Sequence, residues 1–200
     1  MLLERIAEAK SNEDPLENET FENETLEDAD CSKLDFKSVR FLDCKFERCN
    51  FLRAGFYAVE FVHCDCSNCT FTESYWKQSR FENGRADGAD FSCGHFKESA
   101  FFNSSLCYAN FTKTVWESGE IRDCICKEAF FTESRLKKMS FRNVDLSRAD
   151  FFRTALKGID LSDSIITGIM VSDTFRELYG LKIGLLQASD IAVMLGVKIV

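Results

Sequence analysis

The sequence predicts an all-β solenoid, a four-sided coil stacked on itself, from three observations. A large residue, most often phenylalanine, recurs every five positions from Phe21 to Val171 without a frame slip, and 16 of the 20 phenylalanines fall on that frame. Only Phe102, Phe130, Phe152 and Phe175 stand outside it. A smaller residue sits two positions before each large one, as in Val39, Cys44, Cys49, Ala54, Val59, Cys64 and Cys69. Proline occurs once, at Pro15, which fits regular extended structure better than many irregular loops.

A period of five matches neither the helix at 3.6 nor the strand at 2. It matches a chain that turns a corner every five residues, with one large and one small side chain inward on each side and three outward. Four sides close a coil of about 20 residues, and coils stack at the inter-strand spacing of about 4.8 Å. The frame then gives about seven to eight coils, a rod on the order of 35–40 Å long. Volumes agree: Cys66, Ala86 and Cys126 on one wall face Phe56, Trp76, Phe96 and Trp116 on the opposite one, as a close-packed core requires.

Taken in chain order, residues 1–20 are an acidic N-terminal segment or cap, 21–173 the coils, and 174–200 a C-terminal cap and dimerisation segment. Net charge is −8, and residues 1–30 hold 11 acids against Arg5 and Lys10, leaving 22 acids and 23 bases for the rest. Glu19 and Glu24 occupy small inward slots. Because an unpaired buried carboxylate is costly, regular coils are expected to start between residues 25 and 30. Residues 1–18 either form a short helix over that end through Leu2, Leu3 and Ile6, or stay mobile.

After Val171 the frame dissolves. Leu185 to Leu195 reads as a helix with Gly196 just past its end, and Val197–Lys–Ile–Val200 as a closing strand. This tail caps the last coil, and its surplus of apolar residues points to a symmetric homodimer through Leu185, Leu186, Ile191, Met194, Leu195, Val197 and Ile199.

The stretch His63-Cys64-Asp-Cys66-Ser-Asn-Cys69 carries ligand types that zinc prefers. The frame argues against a metal site there: Cys64 and Cys69 fall in the small inward slot and Cys66 in the central one, while His63 points out. Eight of the ten cysteines are inward; Cys93 and Cys107 are not. No metal, cofactor or catalytic residue is expected, since no hydrolytic triad, phosphate loop or His-Glu-x-x-His pattern is present and both histidines are outward. No secretion signal or membrane-length apolar stretch is visible, which places the chain in the cytoplasm with reduced thiols. The overall charge and the lack of a basic tract argue against direct nucleic-acid binding.

Sorting outward charges by wall separates two of them. The wall of Phe41 and Phe61 balances at −4, with Glu60, Glu82, Glu120, Asp123, Asp160 and Asp163 among its acids. An adjacent wall balances at +4, with Lys37, Lys77, Lys97, Lys137 and Lys157 in one slot at multiples of 20 residues. The remaining two come to −2 each.

This unbroken frame over residues 21–173 resembles the pentapeptide-repeat family, which implies a right-handed quadrilateral β-helix. The tail is similar to that of the Qnr quinolone-resistance type, where a C-terminal helix and strand join two copies. That resemblance implies a DNA mimic: a dimeric acidic rod that binds a type II topoisomerase, DNA gyrase or topoisomerase IV, and modulates it, with quinolone protection as one outcome. Glu60, Glu82, Glu120, Asp123, Asp160 and Asp163 are then the partner-binding carboxylates. The alternative is a non-catalytic protein–protein interaction scaffold without a topoisomerase role, presenting a flat wall such as the lysine ladder.

Overall fold

In a computed structural model, which describes residues 1–199, the five-residue frame becomes a parallel β-solenoid. Two walls are seven-stranded parallel sheets. One runs from Leu16–Glu17 through Asp35–Lys37, Gly55–Tyr57, Tyr75–Lys77, His95–Lys97 and Val115–Glu117 to Arg135–Lys137. The other runs from Thr20–Glu22 to Ser140–Arg142. Register advances by one coil at each step, as in Phe36↔Phe56↔Trp76 and Phe41↔Phe61↔Phe81. The other two walls carry one two-stranded sheet, Thr25–Glu27 with Lys45–Glu47, and isolated parallel bridges such as Asn50↔Thr70.

The corner is made by the residue two places after each large one. Asn23, Asp43, Asn83, Asp123 and Asn143 all have φ between 49° and 55°, and the same left-handed conformation recurs every fifth residue from Glu13 to Arg153. Side chains other than glycine, Asn and Asp adopt it at a cost. The corner N–H groups are held by the next coil, Asp43 donating to the Val62 carbonyl at 3.0 Å and Asn83 to that of Phe102 at 3.1 Å. The ladder thus overrides local preference.

The small slot is a donor slot as well as a narrow one. Cys44, Cys64, Ser79 and Ser134 each donate to a carbonyl 23 residues earlier, of Phe21, Phe41, Phe56 and Phe111 respectively, at 2.6–3.5 Å. Sulfur and hydroxyl serve alike, which explains why cysteine and serine alternate there. Large slots fill the centre with stacked rings. Phe51, Phe71, Phe91, Phe111, Phe131 and Phe151 form one column with centroids 4.7–5.1 Å apart and planes within 11° of parallel. Opposite the small residues, Phe56 stacks on Trp76 at 4.2 Å and Phe96 on Trp116 at 4.1 Å.

Regular pairing begins at Leu16, earlier than the expected start between residues 25 and 30. The reason is helix α1 (Leu2–Asn12), which buries Leu2, Ile6 and Ala9 against the first coil. It also satisfies both inward carboxylates. Arg5 forks onto Glu19 with N···O distances of 2.7–3.2 Å, and the Leu2 N–H donates to Glu24 at 3.3 Å. The two carboxylates are paired, so the desolvation objection no longer applies.

At the other end, the strand-bearing stretch from Leu16 to Arg142 spans about six turns, fewer than the seven to eight counted from the frame. Beyond Arg142 the frame continues only as isolated bridges, Asp145↔Ile165 and Asp150↔Met170. The closing half-coil is longer: Leu156 N–H donates to the Glu177 carbonyl and Gly158 N–H to that of Gly180, spacings of 21 and 22 residues where the equivalent bonds, such as Leu146 N–H to Ile165 and Arg148 N–H to Thr167, span 19. Leu178, Leu181 and Ile183 pack over the last coil. The expected helix is shorter, α2 (Ala188–Met194), because the chain at Leu185–Gln187 turns so that the Gln187 amide donates to the carbonyls of Leu161 and Ser164. No strand forms at 197–199, where the closing strand was expected; Val200, its last residue, lies outside the described residues.

Glu177 is the buried carboxylate of this cap. Burial alone would raise its pKa, but its own backbone N–H, the Arg153 N–H (2.9 Å) and the Ser172 hydroxyl (2.8 Å) outweigh that and hold it below the ordinary value of 4.5. A carboxyl lowered in the folded state contributes fully above the unfolded value and loses that contribution as pH falls through the folded one. Between pH 5 and pH 3, the Tm of the wild type is therefore expected to fall more than that of Glu177→Gln, as followed by circular dichroism.

Candidate partner-binding walls

The six expected carboxylates occupy one wall but are not equivalent. Glu60 stands in register between Arg40 and Arg80 and is bridged by both, at 2.8 and 3.0 Å. Arg80 also reaches Glu82 at 3.7 Å. On the same wall Arg122 covers the ring of Phe102, 4.4 Å from its centroid. These charges are largely neutralised within the wall, so Glu60 and Glu82 present little net field to a partner.

Toward the C-terminal end the arrangement changes. Glu120, in register between Ala100 and Ser140, makes no ion pair among the described residues. Asp123 lies 3.7 Å from Arg122 and accepts from the Asn143 amide at 2.8 Å. Asp160 accepts from the Ser162 N–H at 3.0 Å, and its Ser162 hydrogen bonds hold the carboxyl below its ordinary value. Asp163 accepts from the Ser164 hydroxyl at 3.2 Å. Uncompensated negative charge on this wall therefore concentrates at Glu120, Asp160 and Asp163.

The expected dimerisation residues divide similarly. Leu185 and Leu186 are 91% and 88% exposed, and Leu195, Val197 and Ile199 are also exposed. Ile191 and Met194 instead face the solenoid and pack against its core. Ile165, also exposed, lines the same hollow as Leu185 and Leu186 and extends their apolar surface.

Cys64, Cys66 and Cys69 are buried, whereas His63 is exposed with Nδ1 3.4 Å from Asp43. Burial pushes the Cys66 and Cys126 thiols well above their usual range, so at neutral pH neither supplies the thiolate that nucleophilic or metal chemistry uses. Among the described residues no group of three His, Cys, Asp or Glu side chains converges as a metal site would, and no helix is long and apolar enough to cross a membrane.

The pairing of Glu60 and the aromatic surface of the lysine wall escaped the reading by wall totals. The first was legible in principle: Arg40, Glu60 and Arg80 share a slot at multiples of 20. On the lysine wall, Tyr57, Tyr75 and His95 form a contiguous cluster, with centroids 5.6 and 5.3 Å apart.

The family described as pentapeptide repeat region matches residues 15–91 and 34–111, and that described as pentapeptide repeats (8 copies) matches 121–168. No curated protein sequence matches. Among solved structures, the chain is similar to a trypsin-treated form of QnrB1, a plasmid-mediated fluoroquinolone resistance protein, at 25% identity and a TM-score of 0.59, covering 93% of this chain and 99% of that one. A second trypsin-treated form of QnrB1 gives 26%, 0.55, 93% and 97%.

Proposed function

The chain belongs to the pentapeptide-repeat family, and we propose that it acts as a non-catalytic, DNA-mimicking partner of a type II topoisomerase, DNA gyrase or topoisomerase IV. The observation that carries this reading is similarity to a fluoroquinolone resistance protein along nearly the full length of both chains. Glu120, Asp123, Asp160 and Asp163 are the contact residues. They lie toward the end where exposed Leu185 and Leu186 would join a second copy, bringing two acidic ends together. Carboxylates there meet the lysines and arginines that otherwise hold phosphates, so association is fast and falls steeply with salt. Glu60 and Glu82 belong to the same surface but contribute less, being paired within the wall.

The test is a supercoiling assay with purified topoisomerase, with and without a quinolone. The wild type is expected to inhibit supercoiling or restore drug-blocked activity at micromolar concentration. The quadruple change Glu120→Lys, Asp123→Lys, Asp160→Lys and Asp163→Lys should remove the effect. Leu185→Asp with Leu186→Asp should convert a dimer to a monomer in sedimentation. No effect of wild-type protein on either enzyme sinks the reading. It would favour the scaffold alternative, which the Arg40–Glu60–Arg80 pairing supports because a self-neutralised wall suits contacts other than DNA mimicry.

A further inference from the structure

We propose that the lysine wall is a docking surface for single-stranded nucleic acid. Two independent features carry this. The first is how the cations are partnered. On the other walls most arginines and lysines meet carboxylates, as Arg48 does with Asp28, Arg53 with Glu73, Arg85 with Asp87 and Lys127 with Asp145, Lys33 and Arg142 being exceptions. On the lysine wall Lys77, Lys97, Arg135, Lys137, Lys138 and Lys157 make no ion pair among the described residues; only Lys37 does, with Glu17 at 2.9 Å. Asp35, Glu98 and Glu117 stand on the same wall, and Glu98 accepts from the Gln78 amide at 3.0 Å. Glu117 shares the lysine slot between Lys97 and Lys137 but pairs with neither.

The second feature is the aromatic cluster in the same flat sheet. Tyr75 and Lys77 flank the inward Trp76, and His95 and Lys97 flank the inward Phe96, so ring and ammonium stand side by side on successive strands. Tyr57 completes the group beside Tyr75. Nε2 of His95 is buried and has no hydrogen-bond partner, leaving a polar ring atom that the protein does not satisfy. Half-buried rings beside a line of cations are the parts with which single strands are held, bases on rings and phosphates on lysines. Lysine serves as a point charge for phosphate, whereas this chain meets most of its own carboxylates with arginine.

The net charge does not oppose this. Residues 1–30, with 11 acids and two bases, carry all of it, the remaining 22 acids and 23 bases being balanced to within one charge. The segment lies about four coils below Lys97. That is roughly 19 Å by the inter-strand spacing, about twice the screening length at physiological salt. The sequence-based exclusion of nucleic acid rested on the total charge and on the lack of a basic tract; the wall-by-wall arrangement answers the first, and stacking places Lys77, Lys97 and Lys137 in one slot although they are far apart in the chain.

The test is fluorescence anisotropy of full-length protein with a labelled 20-nucleotide oligo(dT), without any topoisomerase, so that it stands or falls apart from the proposed function. Binding is expected in 50 mM salt. Neutralising about four phosphates gives a slope of log K on log salt near −3. Lys77→Gln, Lys97→Gln, Lys137→Gln and Lys157→Gln together should weaken binding at least tenfold, and Tyr75→Ala at least fivefold. Glu120→Gln with Asp123→Asn should not weaken it. Unchanged circular dichroism separates loss of binding from loss of fold, and the single change Lys97→Gln serves if the quadruple variant does not fold. Absence of binding at 100 μM protein overturns the proposal, as does indifference to the lysine changes. Equal competition by polyglutamate also overturns it, and would identify an acidic protein as the occupant; equal competition by duplex DNA would remove the role of the rings.

Discussion

Trp116→Ala is expected to lower the unfolding free energy by about 3–5 kcal/mol, the range for emptying a buried aromatic site. Trp116 is fully buried and lies nearly flat on Phe96, 4.1 Å between centroids and 10° between planes. The facing wall cannot fill the gap, because Cys126 occupies the large slot there. Rings at Phe101 and Phe111 touch Trp116 obliquely, at 6.1 and 5.8 Å, and are locked in their own columns. Each coil templates only its neighbours, so the lost stack weakens the interface on both sides rather than spreading through the rod. The indole N–H donates to the Thr114 hydroxyl at 3.1 Å. Thr114→Val, which keeps the volume and removes that acceptor, should cost about 1–3 kcal/mol. Guanidinium denaturation followed by tryptophan fluorescence and circular dichroism measures both. A loss below 1 kcal/mol for Trp116→Ala would mean the coils collapse around the hole.

The solenoid was legible because inward and outward slots impose different chemistry, and that contrast repeats at every corner from Phe21 to Val171. The left-handed corner also left a trace: Asn18, Asn23, Asp28, Asp43, Asn83, Gly88, Asn103, Asp123 and Gly158 all fall in that slot. What the frame could not supply lay at its ends and between neighbouring slots. Glu19 and Glu24 break the inward pattern, and only the packed helix α1 reveals their partners. The closing half-coil keeps its hydrogen bonds with two or three extra residues, which a strict count of five reads as the end of structure. For the candidate site, residue types placed Glu60 on the acidic wall. Its pairing depends on which side chains lie one coil above and below, information carried by spacings of 20 rather than by a wall's total.

The two walls make separable demands. The acidic end requires free carboxylates at Glu120, Asp160 and Asp163, whereas the lysine wall requires free cations one corner away. Neighbouring walls of opposite charge meet at a shared edge, yet Lys97 and Lys137 remain unpaired even with Glu117 between them in the same slot. A surface shaped only for solubility would gain from pairing them, since each exposed pair contributes up to about 1 kcal/mol.

Deleting residues 1–14 is expected to destabilise the chain by about 3–6 kcal/mol and to make it self-associate. Helix α1 buries Leu2 and Ile6 completely or nearly so, and each such side chain is worth about 1.5–3 kcal/mol. Its removal also strips Arg5 from Glu19 and the Leu2 N–H from Glu24, leaving two carboxylates in slots that face the core. The first coil would then present an open edge, the row from Leu16 to Leu26, with unpaired backbone groups ready to accept another strand. Arg5→Ala tests the carboxylate part alone and should cost less, because the apolar face of α1 stays in place. Denaturation measures the loss, and light scattering at rising concentration measures the association. If the truncated protein remains monodisperse and loses less than 1 kcal/mol, the helix is an appendage and the solenoid closes its own first coil.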